Sequence, residues 1–212
     1  MSVDPQQPSR TEAVRRVGLY NNLTIGWNVV EGVVAIGAGI VAGSISLIAF
    51  GLDSGVEVST SLVLAWRLAQ ERRGGCMVDA DQRAVRWIAA CFAVLALWVG
   101  YEAIGQLVDQ RAPDVSRVGI VLAAVSVIVM PLLARAKKRL GPTLGSQAVV
   151  SESRQTELCA WLSAVVLLGL GLNAALGWWW ADPVAALMLA GFAGSEAVRT
   201  WHADSLADTC CG

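Results

Sequence analysis

Two carboxylates lie in the middle of an apolar stretch in the first third of the chain. Asp53 and Glu57 are four residues apart, within the segment from about Ile45 to Trp66. In a helix this spacing places both side chains on one face. At 1.5 Å rise per residue, Asp53 is about 12 Å from the start of that helix, which is near the middle of a bilayer. A carboxylate at this depth costs several kcal/mol and indicates an ion pathway.

These acids need a counter-charge, since neighbouring unpaired anions are unstable in hydrocarbon. No Lys or Arg occupies the first three predicted helices at this depth, so the counter-charge is a cation or a proton. The alternative is a pair of protonated acids with a structural role. Asn28 and Glu31 in the first helix are expected to line the same path. Glu102 and Glu196 are close to helix ends, where we expect their side chains to reach interfacial water.

The segment from Gln155 to Cys159 repeats the pattern of Asp53 to Glu57: a residue that can bind metal, a hydroxyl residue, and a second such residue four positions after the first. The fifth helix begins either near Gly145 or near Leu158. With the earlier start, two carboxylates, an amide oxygen and a thiolate lie at similar depth. Four donors match tetrahedral zinc. The thiolate favours zinc or cadmium, while the oxygens also admit harder ions.

The composition indicates a membrane protein. The chain has 212 residues, of which 55% are hydrophobic and 16% charged, against about 25% charged in an ordinary soluble domain. The formal net charge of −1 excludes a basic nucleic-acid binder, and the apolar content excludes a disordered chain. The single histidine, His202, excludes catalytic triads that use histidine. No nucleophile with a base is evident, so we expect neither an enzyme nor an organic cofactor.

The apolar runs predict an all-α integral membrane protein with six transmembrane helices. Residues 1–20 are expected to form a cytoplasmic tail, 21–200 the six-helix domain, and 201–212 a short cytoplasmic tail. Asp182 is expected to cap the sixth helix, with Pro183 in its first position. Trp178 to Trp180 fit an interfacial aromatic belt. The six predicted spans are Leu23 to Val41, Ile45 to Trp66, Trp87 to Val108, Val118 to Ala134, a fifth ending near Leu176, and a sixth ending near Arg199.

The basic residues predict the orientation. Only Arg111 and Arg117 lie in loops on one side of the predicted membrane, and the remaining basic clusters lie on the other. The positive-inside rule therefore places both termini in the cytoplasm. The basic run from Arg135 to Arg139 is expected to contact anionic membrane lipid. A polar N-terminus without an organellar address favours a bacterial plasma membrane.

Three stretches together resemble the cation diffusion facilitator (cation efflux) family. The first runs from Ala42 to Ala49 and on to Asp53, Ser54 and Glu57. The others run from Ser151 to Ser163 and from Trp180 to Leu187. The order and spacing of the helices extend the resemblance over about residues 15 to 200.

The resemblance implies a six-helix transmembrane fold, usually a homodimer, that exports divalent cations, typically zinc, in exchange for protons. The family's metal site has a pair of ligands on helix two and another on helix five. By position these fall on Asp53, Glu57, Gln155 and Cys159. Gln155 replaces a histidine and cannot titrate, so Asp53, Glu57 and Cys159 are expected to carry the protons.

The family's cytoplasmic C-terminal domain is expected to be missing, so that dimer contacts would lie in the membrane. Gly39-x-x-x-Gly43 permits close helix approach, and we favour packing within one subunit. His202, Cys210 and Cys211 could capture a metal at the cytoplasmic side, although a plain flexible tail is the simpler interpretation. The competing function is a metal sensor or a scaffold that keeps the helix bundle but does not transport.

Overall fold

The computed structural model describes residues 10–71, 78–144 and 147–202, and in these residues the chain is entirely helical apart from its turns and one loop. The six helices are α1 Arg10–Ala42, α2 Ile45–Glu71, α3 Val78–Val108, α4 Arg117–Leu144, α5 Gln147–Leu176 and α6 Ala181–His202. Five helices contain stretches long and apolar enough to cross a membrane: Arg15–Ala42, Ile45–Leu62, Ala89–Val108, Arg117–Leu140 and Thr156–Leu176. The prediction of an all-α membrane bundle is confirmed at this level. The stretch in α6 is not among the five, because Asp182, Glu196 and Arg199 dilute its apolar run.

Several helices extend beyond the apolar runs that predict them. α1 begins at Arg10, and α4 continues through the basic run to Leu144. Helical hydrogen bonds are satisfied within the helix in water as well as in lipid, so hydropathy marks only the apolar part of each helix. α5 begins at Gln147, which confirms the earlier of its two predicted starts. Gln155 and Cys159 are therefore both on this helix.

Two tight turns make consecutive helices antiparallel neighbours. Gly43 follows α1 with φ of 65°, and Gly177 follows α5 with φ of 66°. Glycine adopts this left-handed conformation without strain, which is why it commonly terminates helices. After Gly177, the rings of Trp178 and Trp180 stack with centroids 5.2 Å apart. Both rings are partly exposed, as an aromatic belt would require.

Polar contacts connect the loops at the end of the bundle that carries these turns. Gln106 of α3 donates to the Gly43 carbonyl at 2.8 Å. The Asp114 N–H, in the loop between α3 and α4, donates to the Ala42 carbonyl at 2.8 Å. The Asn173 amide of α5 donates to the Pro113 carbonyl of the same loop at 3.0 Å. These bonds join segments from α1 through α5 at one end of the molecule.

Helix α2 is central to the packing, because it contacts α1, α3, α5 and α6. The other extensive pairs are α3 with α6 and α4 with α5. Phe50, Val99, Met130 and Val166 are fully buried in the core between the helices. Large apolar side chains elsewhere on the helices are exposed, as lipid-facing side chains are; they include Val33, Leu97, Ile128 and Trp161.

Glycines allow α1 and α2 to approach closely. A Cβ added to Gly39 would be 2.9 Å from the Ile48 nitrogen, and a Cβ added to Gly51 would be 2.9 Å from the Gly32 carbonyl oxygen. Gly39 therefore packs against α2 of the same subunit, as we favoured. A Cβ on Gly43 would meet nothing within 4 Å, so Gly43 serves the turn and not a close approach of the two helices.

Candidate cation site

The two acids of α2 point into the bundle. Asp53 is 6% exposed and Glu57 is 1% exposed. Their spacing places them one turn apart on the same helix face, and α2 packs against α5. Both carboxyl groups therefore lie inside the bundle, away from the outward-facing apolar surface.

Cys159 meets these acids from α5. Its side chain is 2% exposed and lies close enough to the Glu57 carboxylate to interact with it. Asp53 is also close enough to interact electrostatically with the thiol. The helix that carries Cys159 is further constrained by Ser163, whose hydroxyl donates to the Cys159 carbonyl at 2.7 Å. The two helices therefore bring residues of the predicted ligand set together.

These side chains are near one another but are not arranged as a complete set of metal ligands. Within the parts of the chain that the structure describes, no three His, Cys, Asp or Glu side chains group tightly enough to hold a metal ion. Gln155 is on α5, one turn before Cys159, but its side chain lies outside the described part of the chain. The set of four ligands stays a prediction.

A third buried carboxylate, Glu31 of α1, is contacted from two other helices. It is fully buried, it accepts a hydrogen bond from the Ser126 hydroxyl of α4, and its Oε2 is 3.1 Å from the Ser54 hydroxyl of α2. The Trp27 indole N–H donates to the Ser126 oxygen at 3.2 Å. The sequence identifies Ser54 only as part of a motif, and it predicts no role for Ser126 or Trp27. The signal for Ser126 is that it is the only polar residue between Ile120 and Met130.

Asn28 is one helical turn from Glu31 and 1% exposed. Neither its amide nitrogen nor its amide oxygen has a hydrogen-bond partner among the described residues. A buried amide without a partner costs about 1–3 kcal/mol. The expectation that Asn28 and Glu31 line a polar path through the bundle stays a prediction.

The structure changes the interpretation of two other charged residues. Glu196 of α6 does not extend to interfacial water, because it is buried and accepts a hydrogen bond from Arg199 at 2.8 Å. Lys137 of α4 is fully buried, with its ammonium 3.4 Å from the Thr156 hydroxyl of α5. The prediction that this lysine contacts lipid is wrong, because it lies on the face of α4 that packs against α5. Arg135, Lys138 and Arg139 are exposed.

Asp182 has a different partner from the one predicted. The first backbone bond of α6 runs from the Val184 N–H to the Trp180 carbonyl, so Asp182 is inside the first turn and does not cap its own helix. Its carboxylate accepts hydrogen bonds from the hydroxyls of Ser44 and Ser46 and from the Ser46 N–H. Asp182 therefore caps α2, the helix that carries Asp53 and Glu57.

The predicted metal-capture site at the C-terminus is only partly within the described residues. His202 ends α6, is exposed, and has its Nδ1 2.8 Å from the Val198 carbonyl oxygen. Cys210 and Cys211 lie outside the described residues. Glu102 of α3 is half-buried.

The comparison with known families matches this helical arrangement. Residues 87–203, more than half of the chain, match the family described as the cation efflux transmembrane domain. The chain belongs to the cation efflux family. It is accordingly a multi-pass membrane protein, and its family is one of transporters and not of enzymes, as the sequence predicts.

Curated relatives of this cation efflux family member include two uncharacterized transporters. One, from Synechocystis, is 28% identical over 174 residues, which are 79% of this chain and 56% of the relative. The other, from Methanocaldococcus jannaschii, is 27% identical over 175 residues, 79% of this chain and 61% of the relative. A cation-efflux pump of Shewanella oneidensis is 30% identical over 105 residues, 50% of this chain and 34% of the relative.

The family match covers only the α5 half of the site, whereas the longer alignments with relatives also cover the α2 half. The family match contains α5 with Gln155 and Cys159, and it begins after α2. The alignments with the two uncharacterized transporters cover 79% of the chain and therefore extend back over Asp53 and Glu57. The chain spans about a third to three fifths of the length of these relatives.

Proposed function

We propose that this member of the cation efflux family exports a divalent metal cation, zinc in the first place, from the cytoplasm in exchange for protons. The observation that supports the proposal most is the apposition of Glu57 and Cys159 across α2 and α5, with Asp53 on the same face of α2. These are different ligand types on two separate helices, inside a transmembrane bundle of a cation transport family.

The ligand chemistry accounts for the exchange. Carboxylates and a thiolate must lose their protons before they coordinate a metal, so metal binding at Asp53, Glu57 and Cys159 releases protons. Protons supplied from outside then compete for the same atoms and displace the metal. The thiolate favours zinc and cadmium over manganese or magnesium. Gln155 would add a neutral oxygen that does not titrate.

Transport requires that α2 and α5 change their separation. The described acidic and thiol side chains are near one another without forming a three-residue metal group, so metal binding would draw the two helices together. Such a movement within the bundle is the usual basis of alternating access in secondary transporters. It favours an ion path that opens between α2 and α5, with Asn28 and Glu31 along its side.

The proposed topology has six crossings, with both termini in the cytoplasm of a bacterium. α6 has 22 residues, which at 1.5 Å each span about 33 Å, enough for a hydrocarbon core of about 30 Å. Cysteine labelling tests this arrangement in a variant without native cysteines. Gln110→Cys is expected to react with an impermeant reagent added outside, and Arg139→Cys only after the membrane is opened. Reaction of Arg139→Cys from outside would contradict the topology.

Flux measurements test the function. Purified protein in proteoliposomes is expected to move zinc, and cadmium as well, when a pH gradient is imposed, whereas Asp53→Ala should abolish the flux. Glu102→Gln is the matched control, because this acid is on α3 and outside the proposed site. Equal fluxes for the wild type and Asp53→Ala would contradict the site.

Two residues of α5 differ from the metal ligands of the family. This difference supports a second candidate function, a metal sensor or scaffold that does not transport. Gln155 and Cys159 stand where the family has a histidine and an aspartate, and the homodimer that the family forms would serve either function. Metal binding without flux in the same proteoliposomes would select a sensor. Absence of both would select a scaffold.

A further inference from the structure

We propose that Glu31 is a proton-binding site separate from the metal ligands, and that its proton leaves when a divalent ion binds between α2 and α5. The inference rests on the proposed exchange of metal for protons, and it assigns one of the exchanged protons to a residue outside the ligand set. The evidence for this inference is the set of hydrogen bonds around Glu31. They can accommodate one added proton without movement of the backbone.

The donors and acceptors in the chain of hydrogen bonds from Trp27 through Ser126 to Glu31 are fixed by the chemistry of the groups. The Trp27 indole N–H can only donate, and it donates to the Ser126 oxygen at 3.2 Å. The one hydroxyl hydrogen of Ser126 is therefore available to Glu31, whose Oε1 accepts it. This carboxyl oxygen is an acceptor whether Glu31 is charged or neutral.

The other carboxyl oxygen has a partner that can reverse its role. The Ser54 hydroxyl oxygen is 3.1 Å from Glu31 Oε2 and 3.1 Å from the Phe50 carbonyl oxygen. A hydroxyl has one hydrogen, so it donates to only one of them at a time. When Glu31 is a carboxylate, Ser54 donates to it. When Glu31 is protonated, the acid O–H donates to Ser54, and Ser54 donates to Phe50. Rotation of one hydroxyl separates the two states.

The charges near Glu31 connect it to the metal site. Asp53 and Glu57 of α2 and Cys159 of α5 interact with it electrostatically. α4, which also packs against α1, has no titratable residue between Gly119 and Ala134. A divalent ion that displaces fewer than two protons from its ligands makes the site more positive than it is in the metal-free protein. This added positive charge favours the carboxylate form of Glu31.

Asn28 provides the next polar group along α1. Its amide offers a donor and an acceptor that no described protein atom uses, one turn from Glu31 in the direction of the N-terminus. In the proposed orientation this is the cytoplasmic side. When the metal binds from the cytoplasm, the O–H bond of the acid breaks and the proton passes to cytoplasmic water on this side. The divalent ion brings two positive charges and one leaves from Glu31, so any further protons come from Asp53, Glu57 or Cys159.

Glu31→Gln is a close mimic of the protonated state. Its amide oxygen accepts from Ser126 and its amide nitrogen donates to Ser54, so the variant keeps the network and should fold. We expect it to bind zinc and to release one proton fewer per zinc than the wild type, measured with a pH indicator in weakly buffered solution. Glu102→Gln should release the wild-type number. Retained zinc binding with unchanged proton release in Glu31→Gln would overturn the inference.

Infrared difference spectroscopy gives a second readout that does not depend on transport. The carbonyl band of a buried carboxylic acid is expected to disappear from the wild type when zinc is added, and to be missing from Glu31→Gln from the start. If the wild type binds no zinc, the proposed function fails, and a pH titration of the same band in metal-free protein decides on Glu31. A titrating band lost in Glu31→Gln supports the proton site. An identical band in both proteins overturns it.

Discussion

The carboxylate of Asp182 accepts a hydrogen bond from the Ser44 hydroxyl at 2.6 Å, across 138 residues of sequence. It also accepts from the hydroxyl and the backbone N–H of Ser46. A negative group at the start of a helix is stabilised by the unpaired N–H groups and the helix dipole. The first turn of α6 thereby fixes the start of α2. Two motifs that are far apart in the sequence are thereby in direct contact in the structure.

Asp182→Ala is expected to destabilise the protein more than Ser44→Ala or Ser46→Ala. Removal of the carboxylate leaves several buried donors without an acceptor, at about 1–3 kcal/mol for each that finds no substitute. Ser46→Ala removes only one hydroxyl donor, and Ser44→Ala removes one hydroxyl donor together with the acceptor of the Leu47 N–H. Thermal unfolding of the three variants in the same detergent gives the order. A melting temperature of Asp182→Ala equal to that of the wild type would contradict the role of this carboxylate.

Gly51→Ala is expected to destabilise the pair α1 and α2, whereas Gly55→Ala should not. A Cβ on Gly51 would be 2.7 Å from Ile36 Cγ1 and 2.9 Å from the Gly32 carbonyl oxygen. Overpacking of this kind costs about 1–3 kcal/mol. At Gly55, one turn further along α2, a Cβ meets nothing within 4 Å, and alanine should stabilise the helix by about 0.5–1 kcal/mol. Thermal unfolding compares the melting temperatures of the two variants. Equal shifts would show that α1 and α2 are not tightly packed at Gly51.

Cys159→Ser is expected to weaken cadmium and zinc binding far more than manganese binding, because it replaces a soft thiolate by a harder oxygen. Cys91→Ser is the matched control, since Cys91 of α3 is exposed. Equilibrium binding to purified protein measures the ratio of affinities. In the wild type the zinc affinity should also fall as the pH is lowered, because protons compete for the ligands. An unchanged cadmium-to-manganese ratio in Cys159→Ser would remove this thiol from the site.

Lys137→Ala is expected to cost more stability than Lys138→Ala, although the two residues are adjacent. Lys137 is fully buried beside Thr156, so its removal loses packing of the side-chain stem as well as polar contacts. Lys138 is exposed and pairs with Glu157 at 3.2 Å, and an exposed ion pair contributes about 0–1 kcal/mol. Chemical unfolding of both variants measures the difference. Equal losses would place Lys137 at a surface position.

Much of the fold follows from the sequence because membrane helices are selected by long apolar runs. The predicted start of α2 and the predicted end of α3 agree with the structure. Glycine and polar residues interrupt the apolar runs sharply at these two points, the α1–α2 turn and the α3–α4 loop. Hydropathy alone leaves the start of α5 ambiguous, because Glu152, Arg154 and Glu157 interrupt the apolar pattern. The repeat of the Asp53 pattern in Gln155 to Cys159 favours the earlier start, which the structure has.

Residues whose roles depend on pairing between distant helices were not predictable from one sequence. Ser54 and Ser126 are ordinary residues of apolar helices until Glu31 is placed between them. Lys137 belongs to a basic run that by charge alone sets orientation, and only the rotation of α4 about its axis shows that this one side chain faces inward. The sequence predicts that Asp182 caps its own helix, whereas in the structure its carboxylate accepts hydrogen bonds from the start of α2.

The polar bonds around the loop between α3 and α4 have a mechanical consequence. The Gly43 carbonyl is tied to Gln106, the Ala42 carbonyl to Asp114, and Asn173 to the Pro113 carbonyl. Rigid helices joined firmly at one end act as levers, so a small rotation about these contacts becomes a larger displacement further along each helix. In the proposed transport cycle this end would therefore move least. A change in the separation of α2 and α5 would be greatest at the opposite end, which in the proposed orientation faces the cytoplasm.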